Sequence, residues 1–239
     1  MKRIYTLIIL SIAVSNFVSA QGSNDKIFHS TGAAAFTDYA QSPVSTFKYT
    51  SGYDINGNPI QSTTYAQFEG LSYFTFIYNF RYNISEMSDN SAVTASLIPA
   101  VGVYIATTGF SSNGGSDATG FGSFNLPLLL GYEFGAGSTY NSTANMGGFI
   151  RFGVEWTKAP LFYDSGDFGS EDVDIKTSWV EPAVQVGVRY WNKKNKLREI
   201  AIKYGFGESA PAKDATYLGT ETFGSAKTIR LSWMLFLNY

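Results

Sequence analysis

Nine charged residues recur at alternate positions within apolar stretches of this chain, and they are the residues that could do chemistry together. Alternate side chains of a strand share one face, so this spacing places each charge opposite a row of apolar neighbours. Carboxylates and cations on one enclosed face form either an ion path or a set of structural salt bridges. The nine are Arg81, Glu133, Arg151, Glu155, Glu181, Arg189, Glu199, Lys203 and Arg230.

The single histidine, His29, is followed by Ser30, which raises the possibility of a hydrolase. Such an enzyme needs the two side chains within hydrogen-bond reach, together with an orienting acid or amide. Adjacent residues of a strand point to opposite faces, so this pair is expected not to form a dyad. We therefore predict no catalytic residues, and a lipid-modifying enzyme is the weakest functional alternative.

The segment 158–178 is rich in carboxylates, which are oxygen ligands of the kind that Ca²⁺ prefers. Asp164, Asp167, Glu171, Asp172 and Asp174 lie here, but their spacing does not follow the calcium-loop pattern. We interpret the segment as a solvated loop. No phosphate-binding glycine loop, metal triad or redox motif occurs elsewhere, so no cofactor is predicted.

The elements that must position the charged face are strands, since apolar residues alternate with polar ones over most of the chain. In the second strand, for example, Phe74 and Phe76 alternate with Tyr73 and Thr75, which we assign to the face of Arg81. The phase of the first and third strands stays undecided. The eight predicted strands are 27–39, 70–82, 92–107, 124–134, 147–157, 179–191, 199–206 and 228–239.

The connections between these strands alternate in length. Those after strands one, three, five and seven are long, those after strands two and six are short, and the one after strand four is intermediate. Long outer loops, short periplasmic turns and an even strand number are typical of outer-membrane barrels. The connection after strand one contains the turn sequence Asp54-Ile55-Asn56-Gly57-Asn58, which predicts an extended hairpin beyond the membrane.

The N-terminus carries Lys2 and Arg3, then an apolar run from Ile4 to Val14 and Val-Ser-Ala at 18–20. This is the pattern of a secretory signal peptide, so we predict domains 1–20 (signal peptide, cleaved after Ala20) and 21–239 (barrel). The chain has no cysteine and a formal net charge of −2. That charge argues against nucleic acid as a partner.

The last strand alternates apolar residues and ends on an aromatic side chain, with Trp233, Leu235, Leu237 and Tyr239 on one face. Bacterial outer-membrane barrels commonly end this way, and the chain resembles them here. The resemblance implies that these four residues are read by the barrel-insertion machinery.

The stretches FNLPLLLGYEFG (124–135) and EPAVQVGVRYW (181–191) are similar to strands of small OmpX- and PorT-like outer-membrane barrels. This resemblance implies an all-β fold, an eight-stranded antiparallel transmembrane up-and-down barrel with long extracellular loops and short periplasmic turns. It implies location in the bacterial outer membrane and contact with its lipid. The family includes structural proteins and accessory subunits of assemblies, so other outer-membrane proteins are the open class of partner.

Two further alternatives remain at this stage, a soluble barrel and a small pore. The interior of an eight-stranded barrel is filled by side chains, which favours a luminal charge network that blocks conduction. The turn at 192–196 centres on Lys194, so a symmetric hairpin places Arg189 opposite Glu199 and Gln185 opposite Lys203. A slip of one residue would turn these charges outward, so burial favours this register.

Overall fold

The structure, a computed structural model, describes residues 26–110, 119–164, 176–208 and 225–237. Within these ranges no helix is long and apolar enough to cross a membrane. The described residues form twelve β-strands. They are β1 (Ile27–Ala34), β2 (Asp38–Gln41), β3 (Ser45–Tyr53), β4 (Pro59–Ser88), β5 (Ser91–Leu97), β6 (Ala100–Phe110), β7 (Thr119–Gly135), β8 (Met146–Lys158), β9 (Phe162–Asp164), β10 (Ser178–Trp191), β11 (Leu197–Phe206) and β12 (Lys227–Phe236).

The strands close into a ring. Going round it, β1 pairs with β12, then follow β11, β10, β8, β7 and β5, and β4 pairs back to β1. All these pairings are antiparallel. β1 and β2 share one position in the ring, and β5 and β6 share another. The wall therefore has eight strand positions, which are called staves here. The predicted all-β, eight-stranded antiparallel barrel is confirmed.

Two staves are interrupted where the sequence suggested continuous strands. Between β1 and β2, Ala34 pairs with Thr75 and Asp38 with Ser72, so this stave carries one extra residue. Phe36 takes up the bulge with a φ of 56° and is 62% exposed. Between β5 and β6 the break falls at 98–99, where Pro99 has no N–H to give to a ladder.

The two ends of the barrel differ. One end, called here the turn end, carries the connections 89–90, 136–145 and 192–196 and the described chain ends at 26 and 237. The other, the loop end, carries the remaining connections. There β4 runs on beyond the ring and pairs with β3 through the turn 54–58, so the predicted hairpin is present. In that turn the carboxylate of Asp54 accepts a hydrogen bond from the Asn58 side chain, which lowers the pKa of Asp54.

Apolar side chains face outward along the staves and polar ones face the interior. In β8, Ile150, Phe152 and Val154 are exposed while Arg151 and Glu155 are buried. The third stave, whose phase the sequence left open, turns small residues inward, and Ala92, Thr94, Ser96, Ala100 and Ala106 are all buried. These small side chains leave room in the interior for long ones from the other staves.

Tyr73 is a correction, because the sequence assigned it to the inner face. It is 51% exposed and makes an edge-on contact with Phe36. The register between β4 and β6 shifts between Ser72 and Phe74, so Tyr73 occupies a bulge. A bulged residue is unpaired and departs from strict alternation, which turns this ring outward.

Candidate functional site: the charged interior of the barrel

All nine charged residues singled out from the sequence lie inside the ring, and none is more than 3% exposed. They form two layers. The lower layer, near the turn end, consists of Arg81, Glu133, Arg151, Arg189 and Glu199. The upper layer, toward the loop end, consists of Glu155, Glu181, Lys203 and Arg230 together with Asp38.

Glu133 on β7 is the centre of the lower layer. Its Oε2 accepts from Arg81 Nη1 and from Arg189 Nη1, both at 2.5 Å. Its Oε1 accepts from Arg151 at 3.0 Å (Nε) and 2.8 Å (Nη2), and from Thr94 Oγ1 at 3.1 Å. One buried carboxylate thus compensates three guanidinium groups, and charge-assisted hydrogen bonds of this kind are the strong ones.

Glu199 completes the lower layer. Its Oε2 accepts from Arg189 Nε at 2.8 Å and lies 3.5 Å from Arg151 Nη2. Arg189 lies directly opposite Glu199 on the neighbouring strand, and Gln185 lies opposite Lys203. This is the register that the symmetric turn predicts. The layer contains three cations and two carboxylates.

The connection 136–145 folds up against this layer. The Gly137 carbonyl accepts hydrogen bonds from Arg81 Nη2 at 2.7 Å and Arg189 Nη1 at 3.3 Å. The Ser138 carbonyl accepts one from Asn83 Nδ2 at 2.8 Å. Gly137 has a φ of 66°, a conformation that favours glycine and lets the chain turn back into the barrel.

Apolar side chains pack across the interior beneath the arginines. Phe28, Ala136, Leu197 and Phe236 form one buried cluster. The guanidinium carbon of Arg81 lies 3.9 Å from the ring centroid of Phe28. Aromatic faces attract cations, so the cluster both occupies the cross-section and stabilises the charge above it.

The upper layer is held by smaller polar groups. The Lys203 ammonium contacts the Glu155 carboxylate, which also accepts from Asn125 Nδ2 at 3.0 Å. Arg230 Nη2 donates to Asp38 Oδ2 at 2.8 Å and to Asn125 Oδ1 at 2.6 Å.

Glu181 is held differently from the other carboxylates of the upper layer. Its oxygens accept from Thr228 Oγ1 at 2.6 Å and from Trp179 Nε1 at 3.0 Å. It makes no ion pair with any residue of the described ranges. It lies directly opposite Glu155 on the neighbouring strand.

Asp38 is the member of the network that the sequence analysis missed. It is 4% exposed, accepts from Thr75 Oγ1 at 2.6 Å and pairs with Arg230. The alternation of the strand could have identified Asp38, because Asp38 and the inward-facing Ser30 both occupy even positions. Phe36 shares that parity and obscured it, since an aromatic residue there suggests an outward phase. The bulge turns Phe36 outward, while Asp38 keeps the inward parity of Ser30.

His29 and Ser30 do not form a dyad with each other. Ser30 faces the interior, where its Oγ accepts from Asn79 Nδ2 at 3.2 Å. His29 faces outward, with its Nδ1 2.6 Å from the Tyr78 hydroxyl and its ring against Phe80. This is the opposition of neighbouring side chains expected from the strand.

The remaining residues singled out from the sequence are placed as follows. Trp233, Leu235 and Leu237 face outward near the turn end, and Trp233 is 41% exposed. Tyr239 lies outside the described residues, as do the signal segment 1–20 and four of the five acidic residues of the loop 158–178. Among the described residues, no group of three or more potential ligands is arranged to hold a metal ion.

No protein-family model matches the chain, and no curated protein is significantly similar to it. Solved structures that are similar to this chain include two that cover 90% of it. One is the outer membrane protein OprG from Pseudomonas aeruginosa, at 13% identity and a TM-score of 0.45, covering 98% of that chain. The other is Ail, the attachment invasion locus protein of Yersinia pestis, at 15% identity and a TM-score of 0.37, covering 97% of that chain. Both TM-scores lie below 0.5, so the assignment of an eight-stranded barrel rests on the strand pairing described above.

Proposed function

We propose that the protein is a non-catalytic barrel of the bacterial outer membrane, with an interior blocked by its charge network and an extension that carries interactions at the loop end. The observation that carries the proposal is the distribution of polarity. Buried charges fill the interior, whereas the outer wall exposes aromatic and aliphatic side chains stave after stave. A soluble barrel needs the opposite arrangement, and a membrane barrel needs an apolar outer band.

The lumen is blocked in two ways on this proposal. The charged layers fill a ring of a size that side chains alone occupy. The connection 136–145 and the apolar cluster around Phe28 and Phe236 cover the turn end. We assign this network a structural role, since salt bridges between mutually compensated groups hold their partners in place.

The extension supplies the surface for a partner. A tilted membrane strand needs ~9–11 residues, whereas β4 has 30. Most of the excess lies at the loop end, paired with β3 and β6, and residues 83–88 extend at the turn end, paired with β5. With the turn end in the periplasm, this extension stands outside the cell, and other outer-membrane proteins are the class of partner we propose for it.

The two ends of the chain carry the proposed signals for export and membrane insertion. Residues 1–20 serve as the signal peptide, and Trp233, Leu235, Leu237 and Tyr239 are the residues we propose for recognition by the insertion machinery. The absence of a dyad between His29 and Ser30, and the Tyr78 contact of His29 on the outer wall, support a role without catalysis.

Two measurements test the proposal. The protein fractionated from cells should appear in the outer membrane as a heat-modifiable band, and solubility without detergent would contradict the membrane assignment.

In a planar bilayer the wild-type barrel should show no steady current. A combined Leu197→Ala and Phe236→Ala variant, which thins the apolar cluster and leaves every charge in place, should show intermittent openings. A steady open channel in the wild type would instead identify a small pore.

A further inference from the structure

Arg198 is a cation on the outer wall of the barrel, at its turn end. It lies opposite Tyr190 on β10 and Leu235 on β12, both of which face outward. Its guanidinium carbon is 4.8 Å from the ring centroid of Trp233. Its Nε is buried and has no hydrogen-bond partner among the described residues. The residue as a whole is partly exposed, and a planar guanidinium beside an exposed indole is the kind of group that binds an oxyanion.

Three lysines stand directly beneath it on the turn between β10 and β11. The Asn192 side chain accepts the N–H groups of Lys194 and Lys196, each at 2.9 Å, and Asn195 has a φ of 51°. The turn is therefore well defined, and it displays exposed Lys193, Lys194 and Lys196. None of the three forms an ion pair with a described residue. We call Lys193, Lys194, Lys196 and Arg198 the basic foot.

The basic foot is localised to one side of the turn end. The connection 136–145 carries no charged residue, whereas the end of β4 carries the acidic Glu86 and its turn to β5 carries Asp89. In the ring, β4 is separated from β11 by β12 and β1. Four uncompensated positive charges thus gather at one hairpin, next to the apolar wall.

We propose that the basic foot binds the phosphodiester headgroup of an anionic phospholipid in the leaflet that faces the turn end. This inference rests on the proposed membrane location. Tryptophan and tyrosine settle at the level of lipid headgroups, which places Arg198, between Trp233 and Tyr190, at that level. The planar guanidinium donates two parallel hydrogen bonds to phosphate oxygens, and the lysines add positive potential around the headgroup.

Brominated lipids test the proposal, because bromine quenches a tryptophan that it touches. The barrel is refolded in phosphatidylcholine vesicles that contain dibrominated phosphatidylglycerol or, at equal mole fraction, dibrominated phosphatidylcholine. A Trp156→Phe background removes the other exposed indole. Trp233 then reports the foot, because Trp179 is buried and Trp191 packs against the interior apolar cluster. We expect stronger quenching by phosphatidylglycerol, and Arg198→Gln should lower this preference about fivefold, the usual effect of one basic residue at an anionic surface.

Matched variants distinguish lipid binding at the basic foot from a general attraction of anionic lipid to positive charge on the barrel. Lys193→Gln, Lys194→Gln and Lys196→Gln together should also lower the preference, whereas Lys158→Gln with Lys227→Gln, at the loop end, should leave it unchanged. Equal quenching by both lipids in the wild type would overturn the proposal while the heat-modifiable band still supports the barrel. Failure of the wild type to insert into any vesicle would overturn both.

Two other ligands of the basic foot would give different experimental results. If inorganic phosphate at constant ionic strength abolishes the preference, the foot is a site for free phosphate and the lipid assignment is wrong. If the variants lose binding to purified peptidoglycan sacculi while the lipid preference stays unchanged, the partner is the cell wall and the lipid assignment is again wrong.

Discussion

The two charged layers of the lumen are built from the same kinds of residue but are balanced in opposite ways. The lower layer has three guanidinium groups around two carboxylates, and the upper layer has two cations among three carboxylates. In the lower layer Glu133 accepts from three arginines, whereas Glu181 in the upper layer relies on Thr228 and Trp179. The network is neutral as a whole, with five charges of each sign, only because both layers are present together.

This difference in charge balance indicates which carboxylates the stability of the barrel depends on. Removing a carboxylate from the lower layer leaves an excess of buried cations next to one another, and each uncompensated buried ion carries a penalty of several kcal/mol. Removing one from the upper layer relieves an excess of negative charge. The same substitution should therefore have unequal effects in the two layers.

The largest effect is expected for Glu133→Gln, which removes the shared partner of three arginines. We expect the free energy of unfolding to fall by about 3–5 kcal/mol, the usual cost of breaking a buried ion pair. The measurement is the urea midpoint for loss of the heat-modifiable band in lipid vesicles. Glu181→Gln is the matched control, and a midpoint lowered as much by this change would mean that the two layers are equivalent.

A double substitution sharpens the comparison within the lower layer. Glu199→Ala leaves Arg189 and Arg151 facing one remaining carboxylate, and we expect a loss of about 3 kcal/mol. Arg189→Ala combined with Glu199→Ala removes one of the excess cations, so the double variant should be more stable than the single one. The same urea titration compares the two proteins. A double variant that is less stable than Glu199→Ala would show that Arg189 contributes more through Glu133 than it costs when Glu199 is absent.

The smallest effect is expected at the Asp38–Arg230 ion pair of the upper layer. Asp38→Asn keeps the shape of the side chain and the Asn125 contact of Arg230, so the loss should be about 1–3 kcal/mol, the cost of one weakened buried hydrogen bond. Asp54→Asn, at the exposed tip of the β3–β4 hairpin, is the control and should leave the urea midpoint unchanged. An Asp38→Asn variant as unstable as Glu133→Gln would reverse the ranking of the layers.

Much of this arrangement was predictable from the sequence, because alternation is a local property of a strand. Arg151 and Glu155 lie between Ile150, Phe152 and Val154, so one buried face determines where every member of the strand points. The pairing of Arg189 with Glu199 was predictable for a similar reason. Only a short turn separates the two strands, and a shift of one residue would expose the charges to the apolar side.

The tertiary structure decided which charges meet across the lumen. Arg81 and Glu133 are 52 positions apart, and their contact depends on how the ring closes and how each stave is staggered against the next. The bulges at Phe36 and Tyr73 turned both rings outward, while Asp38 kept the inward side of its strand and pairs with Arg230, directly opposite it on β12. The fold of 136–145 under the arginines likewise depends on donors from two other strands, β4 and β10. A sequence pattern determines the face of a side chain within its own strand, whereas partners across a closed barrel are determined by shear, which is a property of the whole ring.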